Sequence, residues 1–455
     1  MSSRLGLLRH PNFARLWTAA TISLFGTQIS QIAIPFIAAV LLQASPGEVG
    51  LLTTIEFLPF LLFTLPAGVW VDRFPKRRLL VMGDLGRALM LVTIPIAYPL
   101  GLLTIWQLYL VGFVNGVMTV FFDVADQSYL PTILERDELV EGNSKLQVSQ
   151  SSAQILGQPF GGGIIALLSA PTAILIDAAS YVGSAGLILS IRERLGRTRD
   201  ASAAGDPVDA IPADAFAGPS AEASAAAERE APADPVTPGG GMRRQIVDGL
   251  RYILRHEYLG NIAATTATSN LFGNIGFAVF PVFAYRVLQL TPQAVGTMGG
   301  LAGVGVLLGA LTAGRIQKRL GVGRTIIATA VLFGPITVLV PIATPETAFW
   351  LLSVSLFLGG LNGVVYNIAQ VSLRQAITPE HFLGRMNATM RFLVWGTIPI
   401  GSVIGAVLSE VLSVRTTVWI SAILSFLACL PVLLSSVRKV VTMPTGEPDA
   451  ATEGG

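Results

Sequence analysis

Cysteine and histidine are nearly absent from this chain: one Cys, Cys429, and three His occur in 455 residues. A single thiol excludes an intrachain disulfide, and so few scattered Cys and His exclude a Cys/His metal cluster. Charge is scarce as well, at 13% of residues against 52% hydrophobic, which excludes an ordinary soluble globular protein. There is no Gly-x-x-x-x-Gly-Lys-Ser/Thr loop to cradle a nucleotide and no His-Glu-x-x-His pair for zinc. No catalytic constellation of acids or nucleophiles stands out, so neither an enzyme nor a cofactor, metal or nucleic-acid partner is expected. The net charge of +2 says little, because the information lies in where the charges fall.

Long apolar runs fill most of the chain. A membrane span needs about 20 apolar residues, and the sequence has room for twelve such spans plus loops. They fall near 14–42, 47–71, 79–98, 103–124, 147–168 and 172–191, and then near 259–286, 292–314, 325–342, 348–370, 383–410 and 417–437. The first run follows a short positive segment, as a cleaved signal peptide would. It is too long for one, and it is repeated later. His10, Leu24-Phe25-Gly26 and Pro35-Phe36 recur as His256, Leu271-Phe272-Gly273 and Pro281-Val282, all at nearly the same offset. The polar stretches around Gln127–Asn143 and Gln370–Asn387 match at a similar offset. This is a half-chain duplication, a recurring transporter design. The expected fold is therefore all-α and integral to the membrane, with twelve transmembrane helices in two pseudo-symmetric six-helix bundles.

The bundles are expected at 1–195 and 242–440. Between them, 196–241 is rich in Ala, Pro, Gly and acids and cannot bury enough surface to fold, so it reads as a disordered tether; 441–455 reads as a disordered tail. Residues 242–258 put Ile246, Leu250, Ile253 and Leu254 on one helical face with arginines around it. That pattern fits an amphipathic helix in the cytoplasmic interface, or less well a calmodulin-type target. With both termini placed in the cytoplasm, only Arg286 and Arg415 of the 30 Lys and Arg fall in outward-facing loops, as the positive-inside rule requires. The expected location is the cell membrane.

One stretch organises the rest. It reads Leu65-Pro-Ala-Gly68-Val-Trp-Val-Asp72-Arg73-Phe-Pro75-Lys76-Arg77-Arg78, followed shortly by Gly83-Asp84-Leu-Gly-Arg87. Gly68, Asp72, Arg73, Lys76 and Arg77 stand at the spacing of the signature loop between helices 2 and 3 of the major facilitator superfamily, with Pro75 where that loop has a second Gly. The longer run through Asp84 and Arg87 resembles the branch containing macrolide and siderophore exporters. Asp72 ends a helix whose C-terminus is already negative, so it needs a compensating partner. The resemblance implies one: Asp72 faces the N-terminus of helix 11 in one conformation, while Arg73 and Arg77 pair with acids at the end of helix 4, here Asp123 and Asp126. Such a cluster would lock the cytoplasmic gate; the alternative is a simple orientation signal.

Gly157-Gln-Pro159-Phe-Gly161-Gly162 resembles the Gly-Pro-x-x-Gly-Gly element of the superfamily's antiporters, with a bare packing kink as the alternative. The glycines Gly296/Gly300 and Gly305/Gly309 read as small-xxx-small packing pairs, not as a nucleotide loop. Ionisable residues inside spans default to function. Glu56 is the leading proton carrier, since burial favours its neutral form, with a protonated or snorkelling structural carboxyl as the alternative; Asp177, Asp84 and Arg87 are the further coupling candidates, with an interfacial position near the outer end of its span as the alternative for Asp177. The amides Gln28, Gln31, Asn270 and Asn274, with Arg391, are candidate substrate contacts, or else interhelical glue. The resemblance implies a monomeric, proton-coupled exporter of a moderately apolar small molecule such as a drug, macrolide or siderophore. Uptake or facilitated diffusion, and a receptor or enzyme built on a transporter-like fold, are the other readings.

Overall fold

The computed structural model describes residues 6–71, 73–135, 138–191, 251, 253, 256–378 and 380–440. Among them there is no strand, and every apolar run has become helix. The first half comprises α1 (Pro11–Phe36), α2 (Pro46–Val71), α3 (Lys76–Ala97), α4 (Ile105–Ile133), α5 and α6 (Ala170–Leu189). α5 is built from Leu139–Ser152, a π-helical turn Ala153–Gly157 and Gln158–Leu168. The second half comprises α7 (Leu259–Val282), α8 (Pro292–Leu320), α9 (Val322–Ile342), α10 (Ala348–Ile377), α11 (Glu380–Val411) and α12 (Val414–Leu427). Ten of these twelve are long and apolar enough to cross a membrane; α5 is interrupted by its π turn, and α11 has a shorter apolar stretch, Gly396–Val411. The tether 196–241 and tail 441–455 lie outside the described residues. So does most of the amphipathic segment, of which Arg251 is exposed and Ile253 is buried beside Leu259.

The duplication is visible in the backbone. α1 ends in a π-helical turn at Ile37–Leu41 and α7 in one at Phe283–Val287. Each is followed by a glutamine in the left-handed region, Gln43 at φ 50° and Gln289 at φ 55°, and then by a helix that begins with proline. The repeated histidines have the same local task. His10 Nδ1 accepts the Phe13 N–H at the start of α1, and His256 Nδ1 accepts those of Tyr258 and Leu259 at the start of α7. Each satisfies backbone donors that a helix N-terminus leaves open. Partial burial holds the His256 imidazole below its ordinary pKa, with Glu257 opposing, which favours the neutral ring whose Nδ1 can accept.

Three apolar cores set the overall arrangement. At the end of the molecule opposite the termini, one continuous core takes residues from both halves, among them Ile37, Val49, Leu108, Val282, Met298 and Val414. At the end bearing the termini there are two separate cores. One belongs to the first half alone (Phe13, Leu80, Tyr129, Ile188), the other to the second half alone (Leu259, Ile326, Leu373, Val432). The halves are thus clasped at one end and packed independently at the other. Polar contacts tighten the clasp: the Gly47 N–H donates to Glu410 Oε1 at 2.7 Å, Arg286 donates to the Ala39 carbonyl, and Phe36 meets Tyr285 edge-on at 5.0 Å. Arg286 and Arg415, the two cations at this end, both donate to backbone carbonyls, Arg415 to that of Pro341.

Candidate functional site

Glu56 lies midway along α2 and turns toward α4, where two glycines make room for it. A Cβ on Gly112 would sit 2.9 Å from Glu56 Cγ, and one on Gly116 would sit 2.8 Å from the Glu56 carbonyl. Among the described residues no hydrogen bond or ion pair reaches its carboxylate. The second half repeats the backbone contact without the acid: Gly360 on α10 abuts the Ala302 carbonyl of α8. Close packing at this crossing therefore needs a small residue on α4 or α10. It does not need a carboxylate opposite.

Asp84 and Arg87, one turn apart on α3, form a buried ion pair at 2.6 Å. The Arg87 guanidinium is held between two rings, Phe122 of α4 and Tyr181 of α6, each 4.3 Å away, an arrangement that stabilises a desolvated cation. The field of Arg87 also reaches Asp123 and Asp126 on α4 and Asp177 on α6. Asp177 is buried within the bundle, at 1% exposed. Gly26 on α1 leaves the gap it occupies, and Ser30 and Ser180 hydrogen-bond its two oxygens. The sequence exposed the Asp84/Arg87 spacing. The aromatic clamp and the Asp177 pocket are assembled from other helices and have no local signal.

The signature loop is described except for Asp72. Gly68 lies in the last turns of α2, Arg73 is exposed, and Pro75 opens α3 at φ −59°. That is an ordinary proline angle, so a glycine is not required there. Arg77 caps the C-terminus of α6 by donating to the carbonyls of Ile188 and Leu189, and Lys76 donates to the Ser128 carbonyl of α4. Cations on the carbonyl ends of helices are favourably placed. The donors of Arg77 thus serve α6, where the resemblance implied Asp123 and Asp126.

The antiporter-like element of α5 is two-sided. Gly157 and Gly161 pack on Gln28 and Ile29 of α1, while Pro159 and Gly162 pack on Gly300 and on Pro292–Gln293 of α8. It joins the halves, and Gly296 and Gly300 are its counterparts across the clasp; Gly305 and Gly309 instead pack on Phe357 and Leu361 of α10, within the second half. The amides follow the duplication. Gln28 backs onto Gly157, and Asn274 onto Gly401 of α11. Gln28 Oε1 is buried with no hydrogen-bond partner among the described residues, Gln31 is exposed, and Asn274 donates to the Asn270 carbonyl of its own helix. The Arg391 side chain lies outside the described residues.

The Major Facilitator Superfamily model matches residues 16–284 and 262–453. Macrolide efflux protein A of Streptococcus pyogenes is 21% identical over 94% of this chain and 96% of its own length. The multidrug efflux pump Tap of Mycolicibacterium fortuitum is 23% identical over 98% of each chain. Among solved structures, a bacterial homologue of the iron transporter ferroportin in its inward-facing state superposes with a TM-score of 0.69 at 14% identity, covering 94% of this chain and 99% of that one.

Proposed function

The chain belongs to the major facilitator superfamily, and from that membership we propose that it is a proton-coupled exporter of moderately apolar small molecules, working as a monomer by alternating access. The observation that carries the mechanism is the division of the apolar cores: one shared at the end opposite the termini, two separate at the other. With the termini in the cytoplasm, as the cation distribution favours, this arrangement is inward-open and ready to load substrate from the cell. Support for export comes from the α5 element, which meets the clasp, and from relatives named for macrolide and multidrug efflux. In this reading Gln28, Gln31, Asn270 and Asn274 contact substrate, Glu56 carries the proton, and the signature loop holds the gate.

The test is flux of a panel of drugs, macrolides and siderophores in inverted vesicles, with and without a pH gradient. At least one compound should accumulate when the vesicle interior is acid, and the accumulation should collapse when the gradient is dissipated. Accumulation indifferent to the gradient would favour facilitated diffusion; binding without flux would favour a receptor.

The gate has its own expected result. Asp72 follows Val71 in the chain, and in this reading its charge favours a foreign helix N-terminus by about 1 kcal/mol or somewhat more. Asp72→Asn keeps the size and removes that preference, shifting the balance of states by roughly tenfold for each 1.4 kcal/mol lost. Transport should fall by about that factor, while membrane insertion and substrate binding persist. Normal transport by Asp72→Asn would reduce the loop to an orientation signal.

A further inference from the structure

The first half buries ionisable groups that its twin does without. α9 and α12, the counterparts of α3 and α6, contain no acid at all, and their cations stand only in first turns. Bundle packing therefore does not require Asp84, Arg87 or Asp177. Asp84 is 0% exposed and Asp177 1% exposed, while the guanidinium of Arg87 is fixed between Phe122 and Tyr181. Two ionised carboxylates sharing one cation would leave a net negative charge in a low-dielectric interior, a costly arrangement. A neutral alternative has one carboxylate paired with Arg87 and the other protonated. Asp84 holds the ion pair. Asp177 is hydrogen-bonded to the hydroxyls of Ser30 and Ser180, groups that accept a carboxylic proton as readily as they donate to a carboxylate.

We propose that Asp177 is a second proton site, separate from Glu56, with Arg87 as a counter-charge that passes between Asp84 and Asp177. The proposal rests on the exporter reading for its role in transport. When the Asp177 carboxyl gives its proton to water, the carboxylate left on α6 competes with Asp84 for the guanidinium; when the proton returns, Arg87 returns to Asp84. The two rings confine the guanidinium so that it pivots without leaving. One oxygen of Asp84, Oδ2, is buried without a well-formed hydrogen bond among the described residues, with the Ser184 hydroxyl of α6 near enough to act on the carboxylate. The surrounding groups are few. α1 offers Gly26, Thr27 and Ser30; α4 offers Phe122, with Asp123 and Asp126 within the field of Arg87; α6 adds Tyr181, Ser180 and Ser184; and the Gln158–Leu168 part of α5 has no ionisable residue. Because Ser30 lies on the helix that carries Gln28 and Gln31, protonation of Asp177 is communicated to the candidate substrate face.

The test is the infrared carbonyl stretch of protonated carboxyls in the purified full chain, in lipid nanodiscs at neutral pH. Wild type should show a band that is lost in Asp177→Asn and a different one that is lost in Glu56→Gln, with both missing in the double variant. In Asp84→Asn, where Arg87 has lost its partner, the Asp177 band should disappear although Asp177 is intact. An unchanged spectrum in Asp177→Asn would overturn the site, and persistence of the band in Asp84→Asn would overturn the shared counter-charge. Failure of the exporter reading looks different: wild type would then show no gradient-driven flux while these bands remained.

Discussion

Glu56→Gln is expected to export nothing against a gradient, yet to exchange substrate across the membrane when the pH is equal on both sides. Gradient-driven accumulation should fall to the level of vesicles lacking the protein. A charged carboxylate at mid-span, with no hydrogen bond or ion pair among the described residues, is strongly disfavoured, and on that ground the exporter reading assigns Glu56 the proton. To give up its proton it must meet water or a counter-charge, which is what a change of state supplies. Gln fixes the neutral form with nearly the same shape, and Gly112 and Gly116 leave room for it. In the exporter reading the substrate route then keeps its geometry while the driving ion loses its carrier. The twin position, Ala302, shows that the α2–α4 type of crossing tolerates a neutral residue, so loss of folding is not the expected outcome. Unchanged gradient-driven export in the variant would remove Glu56 from the mechanism and leave the α3–α6 cluster as the coupling element.

The sequence made the twelve spans and the duplication legible because hydropathy reports the membrane, which only helices or closed barrels can span, and continuous apolar runs of about 20 residues fit the helix. It was less informative about helix ends. α4 runs on through Asp126 to Ile133, α8 to Leu320 and α10 to Ile377, past the end of the apolar runs, because helical hydrogen bonding does not stop where hydrophobicity does. Polar side chains are accommodated there by one another, as where Arg374 donates to Gln370 one turn before it on the same helix. The site was legible in proportion to its locality. Glu56 and the Asp84/Arg87 spacing stand out within a few residues of chain. The burial of Asp177 depends on a missing side chain at Gly26 on another helix, and the clamp on Arg87 on rings from α4 and α6. The histidine repeat was evident, but its reason, capping of α1 and α7, needed hydrogen-bond geometry.

Gly300→Leu should trap the transporter away from the arrangement in which the clasp is closed. A Cβ at Gly300 would come within 2.7 Å of the Ile155 carbonyl and 2.9 Å of Pro159 Cδ, both on α5 in the opposite half. Neither neighbour is the tip of a flexible side chain, so a leucine can be housed only if the halves part at the clasp. Overpacking of this kind costs about 1–3 kcal/mol, and here the cost falls on one state alone, because the clasp must open when the protein faces the other way. The balance of states should shift by roughly ten- to a hundredfold, with transport falling in step and the folded protein still reaching the membrane. Gly309→Leu is the contrasting variant: its neighbour is the Leu361 carbonyl of α10, in the same half, so both states suffer and expression should drop instead. Single reporter cysteines at the two ends, labelled in intact cells and in inverted vesicles, separate these outcomes, and background is low because the chain's own Cys429 is buried. Gly300→Leu should raise labelling at the clasp end and lower it at the end bearing the termini. Equal labelling of the variant and the wild type at both ends would mean that the α5–α8 contact is not a moving interface.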